Sequence, residues 1–165
     1  MVGDAAKEIR FQEIVTANRR RILGIASSYA RGDDVRDLCQ EILLQMWRGL
    51  DGFAGRSAPS TWVYRVALNT AITFRRKNGR HVEPARSPAA APGPEPAAPS
   101  SPENEILILE EFLRSLGPID HAVFLLYLEG LSYQEISEVT GLTKSHVGVS
   151  INRMKKAFMQ RYCGR

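Results

Sequence analysis

Proline is concentrated in one stretch of the chain, and this limits what the chain can fold into. Seven of the nine prolines lie between Pro84 and Pro102, in the run EPARSPAAAPGPEPAAPSSP. Proline has no backbone N–H, and the run contains no large hydrophobic side chain that could anchor it to a core. We therefore expect residues 79–102 to be a flexible linker rich in proline and alanine. It would join two small domains, residues 1–78 and 103–165.

The N-terminal segment has the periodicity of three helices. Apolar side chains at helical spacing predict a helix over about residues 5–30 and a second one ending near Leu50. A third helix follows a loop rich in turn formers, with Ser60 as its expected N-cap. The expected buried face of this third helix is formed by Val63, Val66, Ala67, Thr70, Ala71 and Phe74.

The C-terminal segment also has helical periodicity throughout, so an all-α fold is expected. In its first helix, an apolar stripe is predicted from Ile106, Leu109, Leu113 and Leu116. Ser132 and Glu135 form a capping box that opens a short helix, and a longer helix starts at Thr143 after a glycine turn. A short helix, a glycine turn and a longer helix make the helix-turn-helix pattern. Two packed helices of a bundle that binds nothing are the alternative, but the cations of the longer helix favour DNA binding.

Two exposed stripes of opposite character are predicted in the N-terminal domain. Asp34, Asp37 and Glu41 fall at i, i+3 and i+7, so three carboxylates line one side of the second helix. The third helix presents a stripe of mixed chemistry: Trp62, Arg65, Asn69, Thr73, Arg76 and Arg80. Rings stack on bases, amides bind base edges and guanidinium groups bind phosphate. This combination suggests an adaptor between a protein machine and DNA.

The composition excludes several classes of protein. The net charge of +4 favours an anionic partner. Two distant cysteines with no CxxC pair indicate neither a zinc site nor a disulfide framework. The three histidines are not paired with carboxylates at metal-ligand spacing, and there is no glycine-rich phosphate loop. We therefore expect no enzyme activity, no cofactor and no metal. Without an apolar run of about 20 residues or a signal-peptide core, we expect a cytoplasmic protein that does not contact membranes.

The sequence resembles a known family in two places. The segment DVRDLCQEILLQMWRGLDGFAGRSAPSTWVYRVALNTA resembles the second conserved region of bacterial sigma factors. The segment LGPIDHAVFLLYLEGLSYQEISEVTGLTKSHVGVSINRMKKAF is similar to their fourth region. Two such regions with only a linker between them are typical of the extracytoplasmic-function group. The resemblance implies a factor that binds core RNA polymerase, directs it to specific promoters and helps open the −10 region.

The resemblance also implies roles for particular residues of the N-terminal domain. The polymerase contact matches Asp34, Asp37, Gln40 and Glu41, which would meet the clamp helices of the largest subunit. The −10 element would be contacted by Phe53, Arg56, Ser57, Ser60, Thr61, Trp62, Arg65, Asn69, Arg76 and Lys77. Arg75 and Arg80 would join the last two in holding phosphates. The alternatives are a solvated acidic face, core packing for Trp62 and an ion pair for Arg65.

The −35 element would be read in the major groove by the helix that starts at Thr143. Its candidate contacts are Thr143, Lys144, Ser145, His146, Gly148, Val149, Asn152, Arg153 and Lys156. The chain departs from the commoner family pattern at two positions, where Gly148 and Ser150 replace cations, while Arg153 keeps the usual basic position.

The expected partners are core polymerase and promoter DNA, as a duplex at −35 and as a melted non-template strand at −10. An anti-sigma factor is a further candidate partner, because many members of the group are held inactive by one. Two other classes remain as alternatives. One is a dimeric repressor or activator that binds duplex DNA without polymerase, and the other is a nucleic-acid enzyme such as a recombinase or nuclease.

Overall fold

A computed structural model of the chain describes residues 2–78 and 102–163. Every regular element in these two ranges is helical, which confirms the predicted all-α class. The chain divides into two compact units, Met1–Val82 and Glu83–Arg165. Apart from Pro102, the predicted linker and Arg80 lie outside the described residues, so the domain limits drawn there stay predictions.

The N-terminal unit is built from three helices that all pack on one another. They are α1 (Val2–Tyr29), α2 (Asp33–Gly49) and α3 (Pro59–Asn78), with a 3₁₀ turn at Leu50–Gly52 after α2. Gly32 adopts a φ of 55°, a left-handed value that favours glycine, and lets the chain turn sharply from α1 into α2. The fully buried side chains at the centre include Leu38, Ile42, Met46, Leu50 and Val63.

The start of α3 differs from the sequence prediction. The helix begins at Pro59, and the Trp62 N–H donates to the Ala58 carbonyl at 3.2 Å. Ser60 therefore lies inside the first turn, and the prediction that it caps the helix is wrong. Proline suits this place because its missing N–H would have no partner in a first helical turn.

In its described part, residues 102–163, the C-terminal unit has four α-helices and a final turn. They are α4 (Pro102–Ser115), α5 (Pro118–Leu128), α6 (Tyr133–Thr140) and α7 (Lys144–Phe158), followed by a π-helical turn at Met159–Cys163. Helix α5 is the central element, since Val123 and Leu126 are completely buried. Helices α6 and α7 pack against it and against each other.

The buried face of α4 takes in only part of the predicted apolar stripe. Ile106 is 59% exposed, so this end of the stripe does not face the core. The contact with the core is made instead by Phe112 and Leu113. The Phe112 ring meets Phe124 and Phe158 edge to face, at centroid distances of 5.5 and 5.2 Å. An aromatic cluster near the end of α4 thus fixes this helix.

Among residues 2–78 and 102–163, no helix combines the length and the apolar character that crossing a membrane requires.

Candidate functional site

A groove runs between α2 and α3 on the surface of the N-terminal unit. Its volume is about 720 Å³, and α2 contributes Asp37, Glu41 and Gln45 to one wall. The opposite wall and the ends come from α3: Val66, Asn69, Thr70, Thr73, Phe74, Lys77 and Asn78. The groove therefore brings residues of the acidic stripe and of the nucleic-acid stripe to one place.

The acidic wall of the groove is open to solvent. Asp34, Asp37 and Gln40 are exposed, whereas Glu41 is half-buried. The Gln45 amide donates to a Glu41 carboxylate oxygen at 2.7 Å and so orients it along the groove. A row of carboxylates on a rigid helix can dock a basic or helical partner surface.

The half-buried Cys39 lies on the same helix, close in sequence to these residues. Burial raises the pKa of its thiol, so the side chain is protonated at neutral pH. It behaves as a packing residue beside the acidic stripe.

The wall formed by α3 has the predicted polar face, although the helix buries more than was expected. Arg65, Asn69, Arg76 and Lys77 are exposed, and Ser60 and Trp62 are half-buried. Thr61 is only 9% exposed, and Tyr64 and Leu68 are buried although the sequence did not place them in the core. Conversely, the predicted core residues Val66, Thr70 and Phe74 are half-buried. They line the groove instead of lying beneath it.

The loop before α3 is pinned by aromatic stacking. The rings of Phe53 and Trp62 stack at a centroid distance of 4.9 Å and an interplanar angle of 24°. Phe53 is buried, so its ring is taken up by this contact. Arg56 is exposed and Ser57 half-buried on the loop between them.

A residue that the sequence did not single out fixes the same loop from α1. The Arg10 guanidinium donates to the Phe53 carbonyl at 3.2 Å and lies 5.3 Å from the centre of the Phe53 ring. The Lys7 ammonium forms an ion pair with Asp51 just before the loop. No local pattern could have revealed these contacts, because they join residues 43 and 44 positions apart.

The helix-turn-helix of the C-terminal unit forms as predicted. The Ser132 Oγ accepts from the Glu135 N–H, and the Glu135 carboxylate accepts from the Ser132 N–H at 2.8 Å, which completes the capping box of α6. The Ser132 N–H, and after it the Ser132 hydroxyl at 2.7 Å, donate to the Glu135 carboxylate and hold the pKa of that carboxyl below its ordinary value. Gly141 ends α6 with a φ of 77°, and Thr143 caps α7 by accepting from the His146 N–H at 3.2 Å.

Helix α7 presents nearly all of its predicted contacts to solvent. Eight of these side chains are exposed: Thr143, Lys144, Ser145, His146, Val149, Asn152, Arg153 and Lys156. Gly148 is half-buried. Ser150, one of the two positions at which the chain departs from the family pattern, is buried at 3% exposure. It faces the core and is not available for a base contact.

The basic side chains of α7 are not all free. Arg153 donates to both carboxylate oxygens of Asp120 on α5, at 2.9 and 2.7 Å. The Lys155 ammonium lies 4.4 Å from the centre of the Tyr127 ring. A hydrogen bond with Tyr127 is the main reason that the pKa of Lys155 is raised. Asp120 and Tyr127 were not predicted as site residues, because they are distant from α7 in sequence.

Within the described residues, no group of three or more histidine, cysteine, aspartate or glutamate side chains is arranged to hold a metal ion.

Two family matches cover most of the chain. Residues 14–81 match Sigma-70 region 2, and residues 106–158 match Sigma-70, region 4.

Curated relatives match along most of their length. The ECF RNA polymerase sigma-E factor of Escherichia coli (strain K12) is 31% identical over 161 residues, covering 89% of this chain and 83% of that protein. The sigma-E factor of Haemophilus influenzae is 30% identical over 143 residues, covering 78% and 75%.

Solved structures share the fold. The sigma factor RpoE from Bartonella quintana, in complex with the anti-sigma factor NepR, has a TM-score of 0.69 at 19% identity, covering 92% of this chain and 95% of that one. CnrH, in complex with the cytosolic domain of CnrY, has a TM-score of 0.67 at 21% identity, covering 92% and 86%.

Proposed function

The chain belongs to the extracytoplasmic-function (ECF) group of RNA polymerase sigma factors, and we propose that its two helical units divide the work of promoter recognition. As a sigma factor, it binds core RNA polymerase and promoter DNA and directs transcription initiation. The N-terminal unit docks on the polymerase and holds the opened −10 region. The C-terminal unit binds the −35 element as duplex. The polymerase supplies the chemistry, so the chain itself is not an enzyme.

The groove between α2 and α3 is the observation that carries this proposal for the N-terminal unit. Asp37 and Glu41 line one wall, and Asn69 and Lys77 line the other. Core polymerase docks along the acidic side, on Asp34, Asp37, Gln40 and Glu41. A strand held on the α3 side then lies directly beside the polymerase surface, and this couples docking to opening of the duplex.

Contacts with the −10 strand are assigned to the exposed side of α3 and the loop before it. Asn69 supplies a hydrogen-bonding amide for a base edge, and Arg65, Arg76 and Lys77 supply charge for phosphates. Arg56 and Ser57 approach from the loop. Pulling a base out of the duplex stack costs a few kcal/mol of free energy. Stacking of that base on the half-buried Trp62 offsets part of the cost. Phe53 stacks on Trp62 and so holds the loop, and Thr61 is buried in the first turn of α3.

Two further proposals concern where the chain works and what controls it. The chain acts in the cytoplasm, where core polymerase and promoter DNA are found. An anti-sigma factor is a candidate regulator, because the sigma factor RpoE, which has the same fold, was solved in complex with the anti-sigma factor NepR. Such a partner would compete with polymerase for the acidic side of the groove.

The test compares a variant on each wall of the groove. Asp37→Lys weakens binding to core polymerase about tenfold, or ~1.4 kcal/mol, because it reverses a charge at the docking surface. Asn69→Ala leaves core affinity unchanged and lowers permanganate reactivity of −10 thymines, because it removes only a contact with the opened strand. Asn69 serves better than Trp62 here, since Trp62 also packs on Phe53.

Glu13→Lys is the matched control for Asp37→Lys. Glu13 is an exposed carboxylate on α1, outside the acidic stripe. Its replacement by lysine changes the net charge by the same amount as Asp37→Lys does. Equal loss of core affinity in Asp37→Lys and Glu13→Lys would refute the docking assignment. Normal −10 opening by Asn69→Ala would refute the assignment of the α3 wall.

A further inference from the structure

An apolar side chain stands at the centre of the exposed face of α7. Val149 is 68% exposed. Ser145, Val149, Asn152 and Lys156 are spaced by four, three and four residues, so they share one side of the helix. The opposite side is the buried one, formed by Val147, Ser150, Ile151 and Met154. Val149 therefore points directly away from the protein, in the middle of the surface proposed to enter the major groove.

The cations that flank this face are engaged within the protein. On one side, Arg153 donates to both carboxylate oxygens of Asp120. On the other, the Lys155 ammonium rests against the Tyr127 ring. Both side chains are held toward the edges of the face. The centre is left to Val149, between the hydroxyl of Ser145 and the amide of Asn152.

Next to Val149, no side chain projects from the helix, because that residue is Gly148. A Cβ at Gly148 would lie 3.5 Å from the Tyr133 ring, which is an ordinary contact distance. A methyl group therefore fits there sterically, and the ring of the half-buried Tyr133 lies beside Gly148. On this side of α7, Val149 is the apolar side chain among the polar Ser145, Asn152 and Lys156.

We infer that Val149 reads the methyl group of a thymine in the −35 element. In the major groove, the C5-methyl of thymine is the apolar feature of the base edges, and the other groups there are hydrogen-bond donors and acceptors. An isopropyl group in the centre of the reading face matches that methyl and matches no polar edge. This inference rests on the proposed function, in which α7 binds the −35 duplex.

The test deletes the thymine methyl by placing deoxyuracil at one position at a time in the −35 element. The DNA is the promoter from which holoenzyme containing the full chain starts transcription. Affinity is measured for holoenzyme with the wild-type chain and with Val149→Ala. At one position, the wild-type holoenzyme loses about fourfold in affinity on uracil, the factor expected when one apolar carbon loses its buried contact. The Val149→Ala holoenzyme is about fourfold weaker on thymine and does not distinguish uracil from thymine there.

Lys156→Ala serves as the control, because Lys156 lies on the same face and is expected to contact phosphate. Lys156→Ala weakens binding equally on thymine and uracil. It also lowers by about one the number of ions released on binding, as read from the salt dependence of the affinity. If no uracil position affects the wild type, or if Val149→Ala stays as sensitive as the wild type, the inference about Val149 is wrong while the proposed function stands. A holoenzyme that starts at no specific promoter would instead refute the proposed function.

Discussion

Among the residues of α7, Arg153 has the surroundings that depart most from its expected role. By sequence it is the basic residue that matches the family pattern, and a direct DNA contact was predicted. In the structure, both of its hydrogen bonds to Asp120 are short, and they tie α7 to the first turn of α5. Arg153 is exposed and Asp120 is half-buried, so this ion pair near the surface contributes only about 1 kcal/mol to stability. Its larger effect is to hold the guanidinium against α5, at the edge of the face that is proposed to bind DNA.

Asp120→Asn tests this orienting effect. The amide carries no charge, so Arg153 is released toward DNA phosphates and one nearby negative charge is removed. Binding of the holoenzyme to nonspecific duplex therefore tightens, and its salt dependence rises by about one ion. Glu129→Gln makes the same change in charge at the end of α5. If both variants changed DNA affinity to the same extent, the effect would be one of net charge, and Asp120 would not orient Arg153.

The exposure of a side chain could be predicted where it depends only on the face of the helix that carries it. The exposure of Asp34 and Asp37 follows from helical spacing beside an apolar stripe, and the structure agrees. The roles of Asp120 and Arg10 could not be predicted in this way. Each acts on a group more than 30 positions away in sequence, and only the packed fold brings the partners together.

Helix α3 buries more residues than a single apolar stripe in its sequence predicts. It packs against α1 and α2 at the same time, so it buries a wider arc than a helix with one neighbour. Tyr64 and Leu68 lie in this additional arc. The number of neighbours is a property of the tertiary fold, and periodicity alone does not contain it.

The capping box of α6 was visible in the sequence because it is entirely local. Ser132→Ala removes the acceptor for the Glu135 N–H, and we expect α6 to lose about 1 kcal/mol of local stability. Amide hydrogen exchange in α6 measures this directly. Ser145→Ala, which changes a serine inside α7, is the matched control. Unchanged protection of α6 in Ser132→Ala would contradict the capping role.

The same box makes α6 sensitive to acid. The pKa of Glu135 is lowered in the folded state. The stability that this carboxylate contributes is therefore present above the ordinary pKa of a glutamate carboxyl and is lost as the pH falls through the lower folded value. Protection of α6 should therefore decline in acid in the wild type and decline less in Glu135→Gln. An identical acid response in the two proteins would show that another group is responsible.

At the scale of the whole molecule, the fold separates two kinds of surface between two units. The N-terminal unit has a groove with a carboxylate wall, whereas the C-terminal unit presents the basic and polar face of α7. The two-unit, all-helical organisation was predictable because the proline-rich stretch and the local helix signals specify it. The bases read at either promoter element could not be predicted, since their identity depends on the DNA as much as on the protein.

In vitro transcription shows whether the chain acts as a sigma factor. Purified core polymerase is combined with the full chain and a pool of genomic promoter fragments, and the 5′ ends of the transcripts are mapped. We expect specific start sites that appear only when the chain is added and that share two upstream elements. Absence of such transcripts, together with tight binding of the chain alone to duplex DNA, would contradict this expectation and would indicate a regulator that acts without polymerase.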